Sequence, residues 1–275
     1  MKDITIKSPA KINLHLKILR KLSNGYHELD TSFQLIDLCD DLVFSDCPDR
    51  ISVSCDEASI APENNIIFKA AKAMQDIVNS NHGVNISVKK NIPIGAGLGG
   101  GSSNAATTIL ALNKIWNMNL DEKKMTDIAR TIGADVPFFI KGKNAYARGI
   151  GDIFIPKDSI SEKVVIIDPM IFNSSKEMFD QYDNWEAGSS NALISEQNSF
   201  WNIFIEKNKS IEEFYQKNIK KHEICLSGSG SSMFIKYTSD IEMRKILKII
   251  PSKWRFFLAK PLQYSRLESL DNFGV

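Results

Sequence analysis

A glycine-rich segment followed by an alanine-rich, apolar stretch constrains this chain more than any other feature. The segment PIGAGLGGGSSN (residues 93–104) contains five glycines within seven positions, and apolar residues recur at close to helical spacing over residues 105–116. Consecutive glycines suit neither a packed helix nor a strand, but they let backbone N–H groups converge on a ligand. Ser102, Ser103 and Asn104 are favourable N-cap residues, so we predict that a helix begins after them.

A loop of this kind predicts binding of nucleotide phosphates. Unpaired N–H groups and the positive end of a helix dipole favour an anion, above all a polyphosphate. A flexible Gly/Ser linker is the alternative, but a strand-like pattern and an amphipathic helix flank this segment. The two common nucleotide motifs do not fit, because no lysine follows the glycines as in a Walker A loop and no acidic residue ends a second strand as in a dinucleotide-binding fold.

Length and composition favour an ordinary globular protein. With 275 residues, 43% of them hydrophobic and 24% charged, the chain can form one large or two medium domains. A net charge of +1 provides no basic field for nucleic acid. There is no signal-peptide pattern and no apolar run of the ~20 residues that span a bilayer, so we expect no membrane partner. The four cysteines lack zinc spacing and are expected to be reduced thiols in a cytoplasmic protein.

Hydrophobic periodicity predicts mixed α and β structure along the whole chain. Alternation in the first 60 residues predicts strands, one of which places Lys11, Asn13 and Lys17 on a polar face, with Lys17 in solvent. Asn64 or Asn65 can cap the helix that follows. Further elements are predicted as strands at 84–88, 164–167 and 256–259, helices at 121–132, 202–206, 210–221 and 241–250, and an irregular region at 173–200.

Asp135 is a lone carboxylate beside the strongly apolar run at residues 136–140. An unpaired buried carboxylate costs several kcal/mol. Asp135 therefore caps a helix, pairs with a cation or takes part in chemistry. Lys11 is one possible cationic partner, although no spacing in the sequence shows that the two residues meet.

Several short motifs occur in order along the chain: SPAKINL (8–14), NGYHE (24–28), the glycine segment, GGGSSNAA (99–106), GADVPF (133–138) and LSGSG (226–230). Together they resemble the motifs of the GHMP kinases, a superfamily that includes kinases of homoserine, mevalonate and galactose. Within it, the chain most resembles the kinases that act on 4-diphosphocytidyl-2-C-methyl-D-erythritol. The resemblance is dense from residue 8 to about 152 and thin afterwards.

The resemblance implies an α+β, two-domain GHMP kinase fold. Residues 1–155 would form an ATP-binding lobe like domain 2 of ribosomal protein S5, with a left-handed βαβ crossover. Residues 160–275 would form a ferredoxin-like lobe, and ATP and substrate would lie in the cleft between the two. We expect a monomer or a weak dimer.

The resemblance also implies transfer of the γ-phosphate of ATP to the C2 hydroxyl of the methylerythritol group, in non-mevalonate isoprenoid biosynthesis. Mg²⁺ is expected, although no residue can be assigned to bind it. The alternatives are another GHMP kinase, such as homoserine kinase, and a nucleotide-binding relative without catalysis. Homoserine kinase would not need the Gly-Tyr-His element, and the presence of both Lys11 and Asp135 argues against loss of catalysis.

The resemblance implies a role for each residue at a position that matches a family motif. Asp135 would be the catalytic base, and Lys11 would be its partner and orient the acceptor hydroxyl. The predicted substrate-binding residues are Asn13, Tyr26, His27, Phe172, Gly228 and Ser229, with Tyr26 and Phe172 stacking on cytosine and His27 bonding to its edge. The predicted ATP-binding residues are Asn65, Lys90, Pro93, Gly95, Ala96, Gly97, Leu98, Gly99, Gly100, Gly101, Ser102 and Ser103. The family often has a glycine at the position of Ala96, where one methyl group is acceptable if φ is negative.

Overall fold

The computed structural model describes residues 3–57, 61, 64–78, 82–186 and 197–265, and it contains two β-sheets. Six strands form the first sheet, in the order β3-β4-β2-β5-β6 with β1 also paired to β2. The strands are β1 (Ile4–Lys21), β2 (His27–Cys47), β3 (Ile51–Cys55), β4 (Gly83–Lys89), β5 (Ala145–Arg148) and β6 (Ile153–Pro156). Strands β3 and β4 are parallel and are connected through helix α1 (Ile66–Val78). The hand of this crossover stays a prediction.

The long antiparallel pair β1 and β2 supports the whole first sheet. Its register shifts between Pro9 and Ala10 and again between Asn13 and His15. Such bulges bend a strand and re-aim its side chains. Lys11 and Asn13 are buried on β1, whereas Lys17 is exposed as predicted. The polar face predicted from the alternation is therefore partly an interior surface.

Three helices follow the glycine segment: α2 (Gly100–Ile115), α3 (Glu122–Ile132) and α4 (Val136–Lys141). Helix α2 is buried along most of its length, because its small alanines let it pack closely against α1 and the sheet. The prediction that this helix begins after Asn104 is wrong. It begins at Gly100, and Gly99 occupies the N-cap position in the left-handed conformation (φ 69°). Glycine tolerates that conformation without a Cβ penalty, so the loop needs no polar cap.

The second sheet has four antiparallel strands: β7 (Lys163–Asp168), β8 (Cys225–Leu226), β9 (Met233–Tyr237) and β10 (Arg255–Ala259). Their order is β10-β7-β9-β8. Helices α5 (Ser175–Glu186), α6 (Trp201–Lys207) and α7 (Lys209–Asn218) lie between β7 and β8, and α8 (Asp240–Leu247) lies between β9 and β10. With its helices grouped in this way, the sheet has the β-α-β-β-α-β order of a ferredoxin-like lobe.

One expectation about the second half changes. Helix α5 lies inside the stretch predicted to be irregular, whose residues 187–196 are outside the described residues. The segment after β10 returns to the first sheet, where Leu262 N–H donates to Leu35 O at 2.8 Å. The predicted division into residues 1–155 and 160–275 lies at the end of β6, before β7, and it stays a prediction. Across the described residues, no helix combines the length and apolarity needed to cross a membrane.

Candidate active site

A cavity of about 890 Å³ is lined by strands of the first sheet and by helices and loops from both halves of the chain. The glycine segment contributes much of the wall, and Lys11 and Asp135 line the same cavity. Tyr26 and His27, from the turn between β1 and β2, also line it. Concave sites of this volume with a few polar groups are typical of small-molecule binding. The structure therefore brings most of the predicted site residues into one cavity.

Lys11 and Asp135 form an ion pair in this cavity, with 3.3 Å between Lys11 Nζ and Asp135 Oδ2. The Lys11 side chain is 5% exposed, whereas that of Asp135 is 35% exposed. Lys11 Nζ also donates to Asn13 Oδ1 at 2.5 Å, and Lys11 N–H donates to Leu98 O at 3.0 Å. The ammonium is therefore held in place by two oxygens, and the carboxylate keeps a surface open to the cavity.

Of the three roles considered for Asp135, helix capping is excluded. Asp135 occupies the N-cap position of α4, but its side chain makes no capping hydrogen bond. Pro137 stands at the start of that helix, where the missing N–H of proline is tolerated. The carboxylate is therefore available for Lys11 and for a ligand in the cavity.

Asn13 connects the Lys11–Asp135 ion pair to the second lobe. Its Nδ2 donates to Thr31 Oγ1 at 2.8 Å, and its backbone N–H donates to Ser227 Oγ at 3.2 Å. Ser227 Oγ in turn donates to Gly97 O at 3.0 Å. Both ends of the Asn13 amide already have protein partners, so its orientation is fixed before a ligand binds.

The glycine segment packs directly against the small-residue loop after β8. Gly97 has φ 74°, and a Cβ there would lie 2.1 Å from Ser227 O. A Cβ on Gly228 would lie 3.1 Å from Asn13 Oδ1. Glycine is required at these positions because two backbones approach each other closely. Ala96 is not among the residues with positive φ in the described chain, as its methyl group requires.

Three predicted ATP-binding residues already use their side chains in the protein. Ser103 Oγ lies 2.7 Å from Ser8 Oγ, and Asn65 Oδ1 accepts from Ile67 N–H at 2.9 Å as the cap of α1. Lys90 Nζ forms an ion pair with Asp40, whose side chain is fully buried. Contact of these residues with ATP stays a prediction, and for Ser103 it would involve the backbone rather than the hydroxyl.

Of the three residues predicted to bind the nucleobase, Tyr26 and His27 line the cavity. Tyr26 is 58% exposed on its turn, whereas His27 is buried and stacks on Phe179 of α5, with ring centroids 4.8 Å apart at 20°. Phe172 does not line the cavity, and its ring covers Gly95, where a Cβ would lie 2.3 Å from Phe172 Cδ2. Gly95 itself lines the cavity, so the stacking role of Phe172 stays a prediction, and Phe179 is a further aromatic side chain beside His27. The sequence missed Phe179 because α5 was predicted to be irregular.

The loop after β8 closes another side of the cavity. Gly228 and Ser229 both line it. Ser229 Oγ lies 2.9 Å from Ser175 Oγ, and Asn173 Nδ2 donates to Ser229 O at 3.0 Å. These contacts attach the loop to the start of α5, the helix whose Phe179 stacks on His27. The second lobe therefore links the glycine segment to His27.

A two-sheet α+β fold with a glycine loop at a helix N-terminus and a lysine–aspartate pair beside it defines a GHMP kinase. The family described as "GHMP kinases N terminal domain" matches residues 65–143. GHMP kinases use ATP as the phosphate donor. A mevalonate kinase of Methanococcus jannaschii shares the fold, with a TM-score of 0.68 at 15% identity over 95% of this chain and 99% of that one.

Members of one particular kinase family match this chain over nearly its full length. A solved 4-(cytidine 5'-diphospho)-2C-methyl-D-erythritol kinase has a TM-score of 0.78 at 26% identity, covering 94% of this chain and 99% of that one. The 4-diphosphocytidyl-2-C-methyl-D-erythritol kinase of Haemophilus ducreyi is 33% identical over 99% of both chains. That of Francisella tularensis subsp. novicida is 38% identical over 94% of this chain and 96% of its own. This chain belongs to the 4-diphosphocytidyl-2-C-methyl-D-erythritol kinase family.

Proposed function

We propose that this protein transfers the γ-phosphate of ATP to the C2 hydroxyl of 4-diphosphocytidyl-2-C-methyl-D-erythritol. The products are the 2-phosphate and ADP, in the non-mevalonate route to isoprenoid precursors. Family membership supports the substrate class. The observation that carries the proposal is the Lys11–Asp135 pair, which lines the same cavity as the glycine loop and as Tyr26 and His27.

Asp135 acts as the general base. Its exposed carboxylate accepts the proton of the C2 hydroxyl while the hydroxyl oxygen forms a bond to the γ-phosphorus. The bond from that phosphorus to the bridging oxygen breaks, and its electron pair leaves with ADP. A tertiary alcohol is a poor nucleophile, so positioning matters as much as proton transfer. Lys11 orients the carboxylate, and Asn13 fixes the ammonium of Lys11.

The glycine loop binds the phosphates through its backbone. Gly99 ends the loop in the left-handed conformation and Gly100 begins α2. The first N–H groups of α2 have no partners within the helix, and they carry the positive end of its dipole. Hydrogen bonds from these groups stabilise negative charge on the transferring phosphoryl group. Ser102 lines the cavity and adds a hydroxyl.

The donor set fits a magnesium ion that is held mainly by phosphates. No cluster of three His, Cys, Asp or Glu side chains occurs in the described part of the chain. Mg²⁺ commonly keeps several waters and binds through one or two carboxylates together with substrate phosphates. Asp135, Ser102 and Asn104 are among the oxygen-bearing side chains that line the cavity together with the glycine segment. When bound, Mg²⁺ would neutralise charge on the phosphate oxygens.

The nucleobase residues bind the cytidine part of the substrate. Tyr26 and Phe179 provide aromatic surfaces beside His27, and planar rings favour offset stacking on other planar rings. His27 provides a ring nitrogen for the edge of cytosine. These groups and the glycine loop line one continuous cavity, so a molecule with a nucleobase and a distant hydroxyl can occupy it together with ATP.

Substrate turnover tests the proposal. ATP consumption is measured with Mg²⁺ and the cytidyl substrate, with homoserine and mevalonate as controls, and the product is identified by mass and ³¹P NMR. We expect phosphorylation of the cytidyl compound alone. Turnover of homoserine or mevalonate instead would contradict the proposed substrate. No turnover of any of the three compounds would indicate a nucleotide-binding relative without catalysis. A cytoplasmic location and a monomeric or weakly dimeric state stay predictions, which fractionation and sedimentation would test.

A further inference from the structure

His27 is held by a carboxylate that lies outside every predicted motif. His27 Nε2 lies 2.7 Å from Asp183 Oδ1, and Asp183 Oδ2 accepts from Lys21 Nζ at 2.5 Å. The His27 side chain is 7% exposed, and it stacks on Phe179, one turn before Asp183 on α5. All four side chains line the cavity. The imidazole therefore has a fixed plane and a fixed partner before any substrate binds.

This partner determines which nitrogen of His27 carries the proton. An ionised carboxylate can only accept hydrogen bonds, so the hydrogen of this bond must be on Nε2. The Lys21 ammonium, together with the His27 ring, holds the pKa of Asp183 below its usual range, so the carboxylate is ionised at neutral pH. In the neutral imidazole the other nitrogen, Nδ1, is then an acceptor. Within the described residues, no hydrogen-bond partner for Nδ1 is found.

An acceptor at this position distinguishes the two common pyrimidines. Cytosine has an amino group at C4, which donates hydrogen bonds, whereas uracil has a carbonyl oxygen there, which accepts them. Nδ1 opposite the amino group makes a hydrogen bond, whereas Nδ1 opposite the carbonyl leaves two acceptors facing each other. A site that is built to bond a donor rejects an analogue without one, because a buried polar group is then left unpaired.

We infer that Asp183 is a specificity-determining positioning residue, which holds His27 in the Nε2–H tautomer and so selects cytosine over uracil. Asp183 acts through His27 and does not itself contact the base. Lys21 supports it by fixing the second carboxylate oxygen. The inference rests on the proposed function in one respect, namely that the nucleobase of the substrate lies at His27.

The tautomer is tested directly by ¹⁵N NMR of the His27 ring in the full-length protein without substrate. We expect a protonated Nε2 and an unprotonated Nδ1, and loss of this strict preference in Asp183→Asn, because an amide can present either an acceptor or a donor. A proton on Nδ1, or on both nitrogens, in the wild-type protein at neutral pH would overturn the inference. The wild-type spectrum alone decides this point, even if the variant folds poorly.

Selectivity is tested with two pairs of ligands. The kcat and KM are compared for the cytidyl substrate and its uridyl counterpart, and the affinities for CDP and UDP are measured by calorimetry. For Asp183→Asn we expect the cytidine-to-uridine ratio of kcat/KM to fall about tenfold or more. The change should come mainly from the KM of the cytidyl substrate, with the KM of ATP unchanged. Asp183→Glu, which keeps an accepting carboxylate, should restore part of the preference.

Glu177→Gln is the matched control, because Glu177 is an exposed acidic residue in the first turn of α5 that does not line the cavity. It should leave the cytidine preference as in the wild type. An unchanged preference in Asp183→Asn would overturn the inference, as would equal wild-type affinity for CDP and UDP. Wild-type protein that binds CDP in preference to UDP but phosphorylates neither substrate would contradict the proposed function and leave the role of Asp183 supported.

Discussion

Lys11 of β1 lies 3.3 Å from Asp135 at the start of α4, and the lysine is the more buried partner. The Lys11 ammonium also lies 5.0 Å from the centroid of the Phe33 ring and bonds to Asn13. A buried cation needs such partners because its desolvation is costly. The pair is therefore asymmetric: Lys11 is fixed by the protein, and Asp135 presents its carboxylate to the cavity.

Asp135→Asn tests the base directly, since it keeps the shape of the side chain and removes the proton acceptor. We expect kcat to fall by about 10²–10⁴-fold, the usual contribution of a general base. The affinity for ATP should change little, because the glycine loop does not depend on this carboxylate. Steady-state kinetics and calorimetry measure the two quantities. Asp127→Asn, at an exposed position on α3, is the control, and turnover retained in Asp135→Asn would remove Asp135 from the base role.

Lys90 gives a second prediction, because its ammonium pairs with the fully buried Asp40. Asp40 Oδ1 also accepts the backbone N–H groups of Asn91 and Ile92, at 2.8 and 2.9 Å. Removing one partner of a buried pair leaves an uncompensated charge, which costs about 3–5 kcal/mol. We expect Lys90→Met to lower the free energy of unfolding, measured in urea, by about that amount.

The control for Lys90→Met is the exposed pair of Lys72 and Asp76 on α1. Lys72→Met should change the free energy of unfolding by less than ~1 kcal/mol, because exposed pairs contribute little. If Lys90 served ATP alone, Lys90→Met would raise the KM of ATP and leave stability intact. That result would contradict the structural role of Lys90 and support its predicted contact with ATP.

Gly97 is expected to be intolerant of any side chain. In Gly97→Ala the new methyl group would meet Ser227 O at 2.1 Å, in a backbone conformation that disfavours L-residues. The loops of the two lobes must then separate, so we expect a lower melting temperature and weaker binding of ATP. Gly101→Ala is the matched comparison, since its methyl group would lie 3.6 Å from Ile66 within a helix. It should raise stability by roughly 0.5–1 kcal/mol, and equal melting temperatures for the two variants would contradict the argument.

Local patterns predicted much of the fold and the centre of the site. Alternation identified β1, a continuous apolar run identified the buried strand β7, and the motifs identified Lys11, Asp135 and the glycine loop. Contacts between distant segments could not be predicted, because sequence spacing does not encode which segments meet in space. The pairing of Lys90 with Asp40 is one example. The stacking of Phe179 on His27 is another, since polar residues around α5 mask its weak helical period.

The burial of Cys225 leads us to expect a loss of stability at alkaline pH. Burial raises the pKa of the Cys225 thiol to about 12, from an ordinary value of 9.0. Above about pH 9 the unfolded chain therefore releases this proton while the native protein keeps it, so the free energy of unfolding falls as pH rises. The loss from this group should reach roughly 2 kcal/mol near pH ~10.5. Urea unfolding at about pH 8 and ~10.5 measures this loss. The free energy of unfolding of Cys225→Ala should fall less than that of the wild type over this interval.

The two phenylalanines make a final test of the cytidine site. Phe179 packs on His27 and, edge to face, on Phe200 at 4.9 Å, so Phe179→Leu preserves most of the packing while removing the aromatic surface. An aromatic pair contributes about 0.5–1.5 kcal/mol beyond its buried area, so the KM of the cytidyl substrate should rise up to about tenfold. Phe172→Leu makes the same change on Gly95 and should leave that KM unaltered. A raised KM in Phe172→Leu, with a normal one in Phe179→Leu, would support the stacking role that the resemblance implies for Phe172, because only the residue that faces the base can alter its binding.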